Sequence, residues 1–342
     1  MRIDAFAHVL PVKYKDAFQS KLSPGAPMMY GGNWDTNKTL TNIDLRLGIM
    51  DEYEIDMQAI ATPNPPLEWL FDAPTGTLLA RMANDGVGEI VRRHPKRFIG
   101  VATVSLLDVD AAIRELERSV RELHLGGVLV YSNVRGKPLD APEFDAFFSS
   151  VEQLRVPIWL HPARSEKQAD YPAEETSRYM LWQAFGWPYE TTLAMARLVL
   201  GGTLKQHPGL RIIAHHAGAM VPFFSGRITS FFSNPTYLAR MGLDPKVERP
   251  YLDQFRDFYV DTWTNGCVSA LMTSYEMFGA DHMLFGSDMP FGAEMGRLFV
   301  RQAIRSVESM MIPPSEKEKI WSGNIWRLCQ GSLGGAESGG AA

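Results

Sequence analysis

Four histidines and one aspartate of this 342-residue chain are placed where they could form a metal or acid–base site. Each lies at the end of a short apolar run: His8 ends IDAFAH, His161 ends WLH, His215 and His216 end IIAHH, and Asp288 follows LFGS. Imidazole and carboxylate groups together are ligands that zinc prefers, and manganese or iron also accepts them. If the runs are strands whose ends meet, the spacing predicts a site for one divalent metal ion.

Side-chain alternation indicates which of these residues share a face. Because successive side chains of a strand point to opposite faces, Asp4, Phe6 and His8 are expected on one face. The same rule lets only one of His215 and His216 face the site, and gives the other a structural role. The remaining histidines fall in helix ends or loops and are expected at the surface: His94, His124, His207 and His282.

Eight apolar runs alternate with helix-like stretches along the whole chain. The runs are 3–9, 57–63, 98–104, 127–131, 157–161, 210–216, 258–263 and 283–288. The helix-like stretches are 43–54, 74–94, 108–123, 142–154, 189–206, 219–232, 267–278 and 295–308. Near-continuous apolar runs such as VPIWL are typical of parallel strands covered on both faces. The pattern predicts an α/β fold, a distorted (β/α)8 TIM barrel, with a doubly wound open sheet as the alternative.

Two longer stretches interrupt the alternation, at 11–42 after the first strand and at 162–188 after the fifth. Both follow the C-terminal end of a strand, where the active site of a TIM barrel lies, so we expect lids or substrate walls. Residues 1–330 are predicted to form a single domain. The Gly- and Ala-rich tail, 331–342, is expected to be disordered.

Composition excludes several classes of protein. Lys and Arg number 34 against 39 Asp and Glu, and this net charge of -5 argues against a nucleic-acid partner or an anionic membrane. No apolar run reaches the roughly 18 residues of a membrane span. Two cysteines cannot make a disulfide scaffold, so a cytoplasmic location is expected. The motifs of nucleotide binding, G-x-G-x-x-G and G-x-x-x-x-G-K-[ST], and of serine hydrolases, G-x-S-x-G, are missing.

Several motifs resemble the amidohydrolase superfamily, specifically its aminocarboxymuconate semialdehyde decarboxylase-like branch. They are D-x-x-x-H in the first strand, H-P after the fifth, AHHAGAMVPFFSGRI and GSDMPF. The most specific element is GWPYETTLAMARLVLGG followed by KQHPGLRIIAHH. The resemblance spans nearly the whole chain. It implies a distorted TIM barrel with one divalent metal, zinc first and manganese second, and a homodimer.

The resemblance also assigns roles to single residues. His8, His161 and Asp288 correspond to metal ligands, and Asp288 also to a proton shuttle. The catalytic histidine corresponds to His216 in the alignment that we favour, and to His215 in the alternative one.

Two departures from the family pattern bear on function. Phe6 stands where relatives carry a first ligand, His or Glu, and a phenyl ring cannot coordinate a metal. Three protein ligands remain, with His216 or water completing the sphere, which still makes an open catalytic site of weaker affinity. The first insertion has no match for the arginine that would face a substrate carboxylate, so aminocarboxymuconate itself is not the expected substrate.

The branch implies non-oxidative decarboxylation of a small unsaturated or aromatic carboxylic acid. The metal would hold the acid, a proton would reach the carbon that bears the carboxylate, and carbon dioxide would leave. The same residues could instead let metal-bound hydroxide hydrolyse a lactone, an amide or a ring carbon–carbon bond. Because of Phe6, a metal-free lyase or a binding protein for a small acid is the remaining alternative.

Four further side chains are predicted to contact the substrate. Arg164, three residues after the fifth strand, can hold a carboxylate bidentately, and its alternative is a salt bridge to a nearby glutamate. Asn133 follows the fourth strand and could bind substrate or cap a turn. Trp263 ends the seventh strand and could line the pocket or pack in the core. Arg227, in SGRI, resembles a family arginine with a substrate-facing or structural role.

Overall fold

A barrel of eight parallel strands forms the centre of the computed structural model, which describes residues 1–23 and 34–329. In chain order the strands are β1 Ile3–His8, β2 Met57–Ala61, β3 Phe98–Thr103, β4 Gly127–Tyr131, β5 Ile158–His161, β6 Ile212–Ala214, β7 Tyr259–Asp261 and β8 Met283–Leu284. Each strand pairs in parallel with the next one along the chain. The predicted (β/α)8 barrel is confirmed. The predicted disordered tail, 331–342, lies outside the described residues.

Hydrogen bonds between β1 and the segment after β8 join the two ends of the sheet. The Ala5 N–H donates to the Phe285 carbonyl at 2.7 Å, and the Asp288 N–H donates to the Phe6 carbonyl at 2.9 Å. These bonds place Asp288 beside the end of β1, where His8 lies.

Helices cover the outside of the barrel. The longer ones are Val12–Lys21, Ile43–Glu52, Ala73–Arg93, Val109–Arg121, Asp145–Leu154, Gly186–Leu200, Ser225–Phe232, Val268–Phe278 and Arg297–Ser309. Shorter ones are Leu67–Leu70, Leu181–Ala184, Thr203–Gln206, Pro235–Arg240, Tyr251–Phe255, Pro314–Glu318 and Asn324–Cys329. Asn42, Asp72 and Asp108 cap helix starts, each accepting the N–H three residues ahead. Among the described helices, none has the length and apolar character that crossing a bilayer needs.

A bulge in β1 corrects the expected alternation of its side chains. The register with β2 shifts between Asp4 and Ala7, and the Phe6 N–H bonds to the Asp4 carboxylate at 3.2 Å. Ala5 and Phe6 therefore both pack in the cluster inside the barrel, whereas Ala7 packs in the outer one. Asp4 bonds instead to Gln58, which lies towards the covering helix. The prediction that Asp4 shares a face with Phe6 and His8 is wrong, because the bulge adds a residue.

A fully buried arginine braces the end of β1 from outside. Arg46, in the helix Ile43–Glu52, is 0% exposed and donates to the carbonyls of His8 and Thr39. It also donates to Gln58 Oε1 at 2.8 Å, and Gln58 donates in turn to Asp4 at 3.0 Å. The Gln58 amide thus links the buried Arg46 cation to the buried Asp4 carboxylate, and the two opposite charges compensate each other.

We expect Arg46→Leu to lower the free energy of unfolding by about 3 kcal/mol, because it leaves the His8 carbonyl and the Asp4 carboxylate without their compensating charge. Urea unfolding measures the change. The control is Arg93→Leu, which breaks an exposed pair with Glu89 and is expected to cost less than about 1 kcal/mol. Equal losses in the two variants would contradict the bracing role of Arg46.

Candidate active site

The end of β1 and the segment after β8 bring an imidazole against a carboxylate. His8 Nε2 lies 3.3 Å from Asp288 Oδ1, in the interior of the barrel mouth. Neither ring nitrogen of His8 has a hydrogen-bond partner among the described residues. Asp288 itself has a left-handed backbone, with φ of 58°, and its N–H is bonded to the Phe6 carbonyl of β1. The predicted proximity of His8 and Asp288 is confirmed.

His215 also points at Asp288. Its Nε2 lies 3.8 Å from Asp288 Oδ1, and its Nδ1 bonds to Asp261 Oδ2 at the end of β7. Phe6 stacks on the His215 ring, with centroids 3.9 Å apart and planes at 13°. Phe6 therefore offers no ligand atom at this position, and its ring packs against the His215 imidazole instead.

His216 lies beside His215, and the expected opposition of the two rings is wrong. β6 ends at Ala214, and His216 has a left-handed backbone with φ of 62°, so strand alternation no longer applies. The two imidazole centroids are 3.8 Å apart, and His216 also faces the Trp187 ring at 6.3 Å. His215 thus meets Asp288, while His216 borders the segment after β5. The catalytic role of His216 stays a prediction.

His161 completes the cluster from the end of β5. Its ring centroid is 5.6 Å from that of His8 and 5.4 Å from that of His215. Its Nδ1 lies 2.9 Å from the Pro162 carbonyl and 3.3 Å from the side-chain nitrogen of Asn64, so both contacts are made by this one ring atom. Aromatic rings enclose the cluster: Tyr131 and Trp187 against His161, and Phe291 against His8. Tyr131 ends β4, a position that sequence reasoning could have noted.

Burial sets the protonation states in this cluster. It lowers the pKa of His8 to about 4 and that of His161 to about 3, and it lowers the pKa of His215 and His216 far below the ordinary value. All four rings are therefore neutral at pH 7, which is the form that binds metals. Burial, followed by repulsion from Asp261, raises the pKa of Asp288 well above its usual range.

The donor types fit a divalent metal ion. Two imidazole Nε2 atoms lie within 4 Å of the same Asp288 oxygen, and His8 has unpartnered ring nitrogens. An unprotonated imidazole nitrogen and a carboxylate oxygen repel each other at such distances unless a proton or a cation lies between them. Within the described residues, however, no three histidine, cysteine, aspartate or glutamate side chains are arranged to hold a metal ion. The side chains would have to move closer together to bind one.

Arg164 is held by a glutamate that sequence reasoning did not single out. Its Nη1 lies 3.4 Å from Glu190 Oε1, and Asn133 donates to Glu190 Oε2 at 3.2 Å. Asn133 also bonds to the Ala163 carbonyl and accepts the Gly136 N–H, as the turn-capping alternative predicted. Glu190 thus joins the ends of β4 and β5. Arg164 keeps a buried Nε without a partner among the described residues, so part of its donor capacity is free.

Two predicted substrate contacts are not brought to the cluster. Trp263 is 2% exposed and packs on Phe299 at 4.3 Å, in the layer between barrel and helices, because its side chain points outward after β7. The prediction that it lines the pocket is corrected in favour of core packing. Arg227 lies on an exposed helical face with its guanidinium over the Phe231 ring at 5.0 Å. No described contact joins Arg227 to the cluster, and its substrate role stays a prediction.

A family model described as amidohydrolase matches residues 3–328. A 2-amino-3-carboxymuconate-6-semialdehyde decarboxylase from Dictyostelium discoideum is 28% identical to this chain, over 95% of the chain and 90% of the relative. A gamma-resorcylate decarboxylase from Rhizobium radiobacter is 31% identical, over 80% and 85%.

Solved structures with the same fold include two decarboxylases of dihydroxybenzoic acids. A 2,6-dihydroxybenzoate decarboxylase in complex with 2,6-dihydroxybenzoate superposes with a TM-score of 0.79 at 27% identity, covering 96% of this chain and 98% of its own. A dihydroxybenzoic acid decarboxylase from Polaromonas sp. JS666, with bound manganese and the inhibitor 2-nitroresorcinol, gives 0.76 at 26% identity, covering 96% of both chains.

Proposed function

This chain belongs to the amidohydrolase family, and on that premise we propose that it is a metal-dependent, non-oxidative decarboxylase of a small aromatic or unsaturated carboxylic acid. The observation that carries the proposal is the convergence of His8 and His215 on Asp288 in a buried barrel mouth. Relatives with this fold that act on dihydroxybenzoates support the aromatic acid as substrate class.

The residues proposed to hold the metal are His8, His161 and Asp288. A bound divalent ion would supply Lewis acidity towards the substrate carboxylate or a neighbouring hydroxyl. Zinc and manganese both accept this donor set. The manganese bound in one related structure supports manganese as the alternative to zinc. With Phe6 offering no donor, the protein contributes three ligands at most from these positions.

Asp288 is the proposed proton donor. Its Oδ1 lies within 4 Å of the Nε2 atoms of His8 and His215, so a proton can be exchanged between the carboxyl group and either ring and delivered from there. Transfer of that proton to the carbon bearing the carboxylate forms the new carbon–hydrogen bond. The carbon–carbon bond to the carboxylate then breaks, its electron pair returns to the ring, and carbon dioxide leaves. Solvent water returns a proton to the Asp288 carboxylate.

The surrounding residues orient the acid. We propose that His216 or its neighbour His215 hydrogen-bonds to substrate or water, and that the free Nε of Arg164 contacts an anionic group. Trp187 and Phe291, which lie against the histidines, offer faces for a planar ring. Asn133 acts through Glu190, which it holds in place for Arg164.

Product analysis separates decarboxylation from hydrolysis. Purified protein would be incubated with 2,6-dihydroxybenzoate, with other hydroxybenzoates and dienoic acids, and with a panel of lactones and amides. We expect carbon dioxide in one-to-one ratio with the decarboxylated product for at least one acid. A ring-opened acid without carbon dioxide would establish the hydrolase instead. Binding without turnover would establish a binding protein.

We also propose that the chain forms a homodimer. Exposed aromatic residues concentrate between residues 171 and 237, and include Tyr179 at 87% and Phe223 at 79% exposure. Exposed apolar side chains that cluster on one face mark association sites in soluble proteins. Sedimentation equilibrium is expected to give twice the chain mass.

The double variant Tyr179→Glu/Phe223→Glu is expected to weaken the dimer about 100-fold or more, since it places charges in an apolar interface. The control is Met311→Glu. Met311 is 90% exposed and lies outside residues 171–237, so this change should leave association unchanged. A monomeric wild-type protein would contradict the dimer.

Two further proposals concern the chain as a whole. The family match across residues 3–328 supports one domain over 1–330. With two cysteines in 342 residues the sequence cannot supply a disulfide scaffold, which supports a reducing, cytoplasmic location.

A further inference from the structure

Asp261 connects the end of β7 to the turn after β6. Its Oδ1 accepts the N–H groups of Ala217 at 3.0 Å and Trp263 at 2.9 Å, and its Oδ2 is bonded to His215 Nδ1. The Asp261 side chain is 0% exposed and His215 is 1% exposed. Two backbone donors therefore fix the plane of the carboxylate, and the carboxylate fixes one edge of the imidazole.

This contact determines which nitrogen of His215 carries the proton. A neutral imidazole has one N–H, and an ionised carboxylate can only accept a hydrogen bond. The proton of His215 therefore lies on Nδ1, and Nε2 presents a lone pair towards Asp288, 3.8 Å away. Phe6, stacked on the ring, restricts tilting of the imidazole.

We propose that Asp261 is a positioning residue for the decarboxylation, because it holds His215 as the Nδ1–H tautomer with Nε2 aimed at Asp288 and the substrate. The expected effect on kcat rests on the proposed function, whereas the tautomer of His215 rests only on its contact with Asp261. Asp261 makes no described hydrogen bond to Asp288 or His8, so His215 is its hydrogen-bonded link to the site, and the NMR readout of the His215 tautomer separates this link from the repulsion that Asp261 exerts on Asp288.

Asp261→Asn tests the proposal with almost no change in shape. The asparagine oxygen can keep the two backbone donors, and its NH2 group then faces His215 Nδ1. Nδ1 must become the acceptor, and the proton moves to Nε2, where it blocks the lone pair. We expect kcat for the best acid substrate to fall about 100-fold or more, with KM changed less than about threefold.

Nitrogen-15 NMR of the histidine side chains reads the tautomer without any substrate. The zinc-loaded protein is used because zinc is diamagnetic, and His215→Ala assigns the signal. We expect protonated Nδ1 in the wild type and protonated Nε2 in Asp261→Asn. Protonated Nε2 in the wild type would overturn the proposal, whether or not the variant folds and whether or not any acid is decarboxylated.

The matched control is Asp145→Asn, which alters another carboxylate–histidine pair. Asp145 Oδ1 lies 2.8 Å from His207 Nε2, outside the cluster at the barrel mouth. We expect its kcat and the His215 signal to match the wild type. An equal loss of kcat in both variants, or a normal kcat in Asp261→Asn with an inverted tautomer, would also overturn the proposal.

Discussion

Asp288→Asn is expected to lower kcat by about 10³-fold. The amide cannot hold and deliver a proton, and it is a weaker ligand than a carboxylate. His8 and His215 both face this one side chain. Among the described residues, Asp261 is the other carboxylate within 4 Å of either ring, and it is already bonded to three groups, so it is poorly placed to substitute. Steady-state kinetics on the best acid substrate measures the loss.

The control for this variant is Asp281→Asn. Asp281 is an exposed aspartate paired with Lys319, and its replacement should leave kcat within twofold of the wild type. Circular dichroism and thermal midpoints show whether each variant keeps its fold. If Asp288→Asn kept more than a tenth of the wild-type kcat while folded, the proton-donor role of Asp288 would be refuted.

Removal of the metal is expected to abolish turnover. Neutral imidazoles and a desolvated carboxylate are left facing one another without the ion, and the substrate loses its Lewis acid. Protein purified without a histidine tag should contain about one zinc or manganese per chain by elemental analysis. Dialysis against a chelator should reduce both metal and kcat to background, and adding either ion should restore them together.

Ligand variants identify the residues that hold the ion. His8→Ala and His161→Ala should each lower metal affinity at least ~100-fold by calorimetry, because each removes one of the three proposed ligands. His94→Ala, at the end of an outer helix, is the control and should bind metal normally. Full activity of metal-free protein would contradict metal dependence, and unchanged affinity in His8→Ala would contradict the ligand set.

The barrel and the place of its site could be predicted because strand ends are local sequence signals. Apolar runs that end in His8 and His161 fix where those side chains emerge, and closure of eight strands brings them together. The eighth run was predicted too long, but Asp288 still lies beside His8, since hydrogen bonds to β1 hold the segment that follows β8.

Local backbone exceptions could not be predicted. A bulge in β1 turns Asp4 away from Phe6, although alternation places them together. After β6, residues 216–219 all have positive φ, so His216 does not lie opposite His215, and the next helix begins at Ser225. These features depend on hydrogen bonds between distant segments, such as that of Ala217 with Asp261, for which the sequence carries no local signal.

Side-chain pairs that join distant segments could not be predicted from the sequence either. Glu190 lies 26 residues after Arg164, in a helix whose apolar pattern gives no sign of a buried carboxylate. Asp261 ends β7, but its contact with His215 spans 46 residues. Both partners become visible only when the barrel has placed neighbouring strands side by side.

Turnover of 2,6-dihydroxybenzoate in D2O tests whether this barrel releases carbon dioxide and places a proton on the carbon that carried it. Metal-loaded protein should release one carbon dioxide per product, and mass and NMR spectra should show one deuterium at the carbon that lost the carboxylate. Product incubated in D2O without protein corrects for spontaneous exchange. No carbon dioxide from this or any related hydroxy acid, at full metal occupancy, would contradict the proposed decarboxylation.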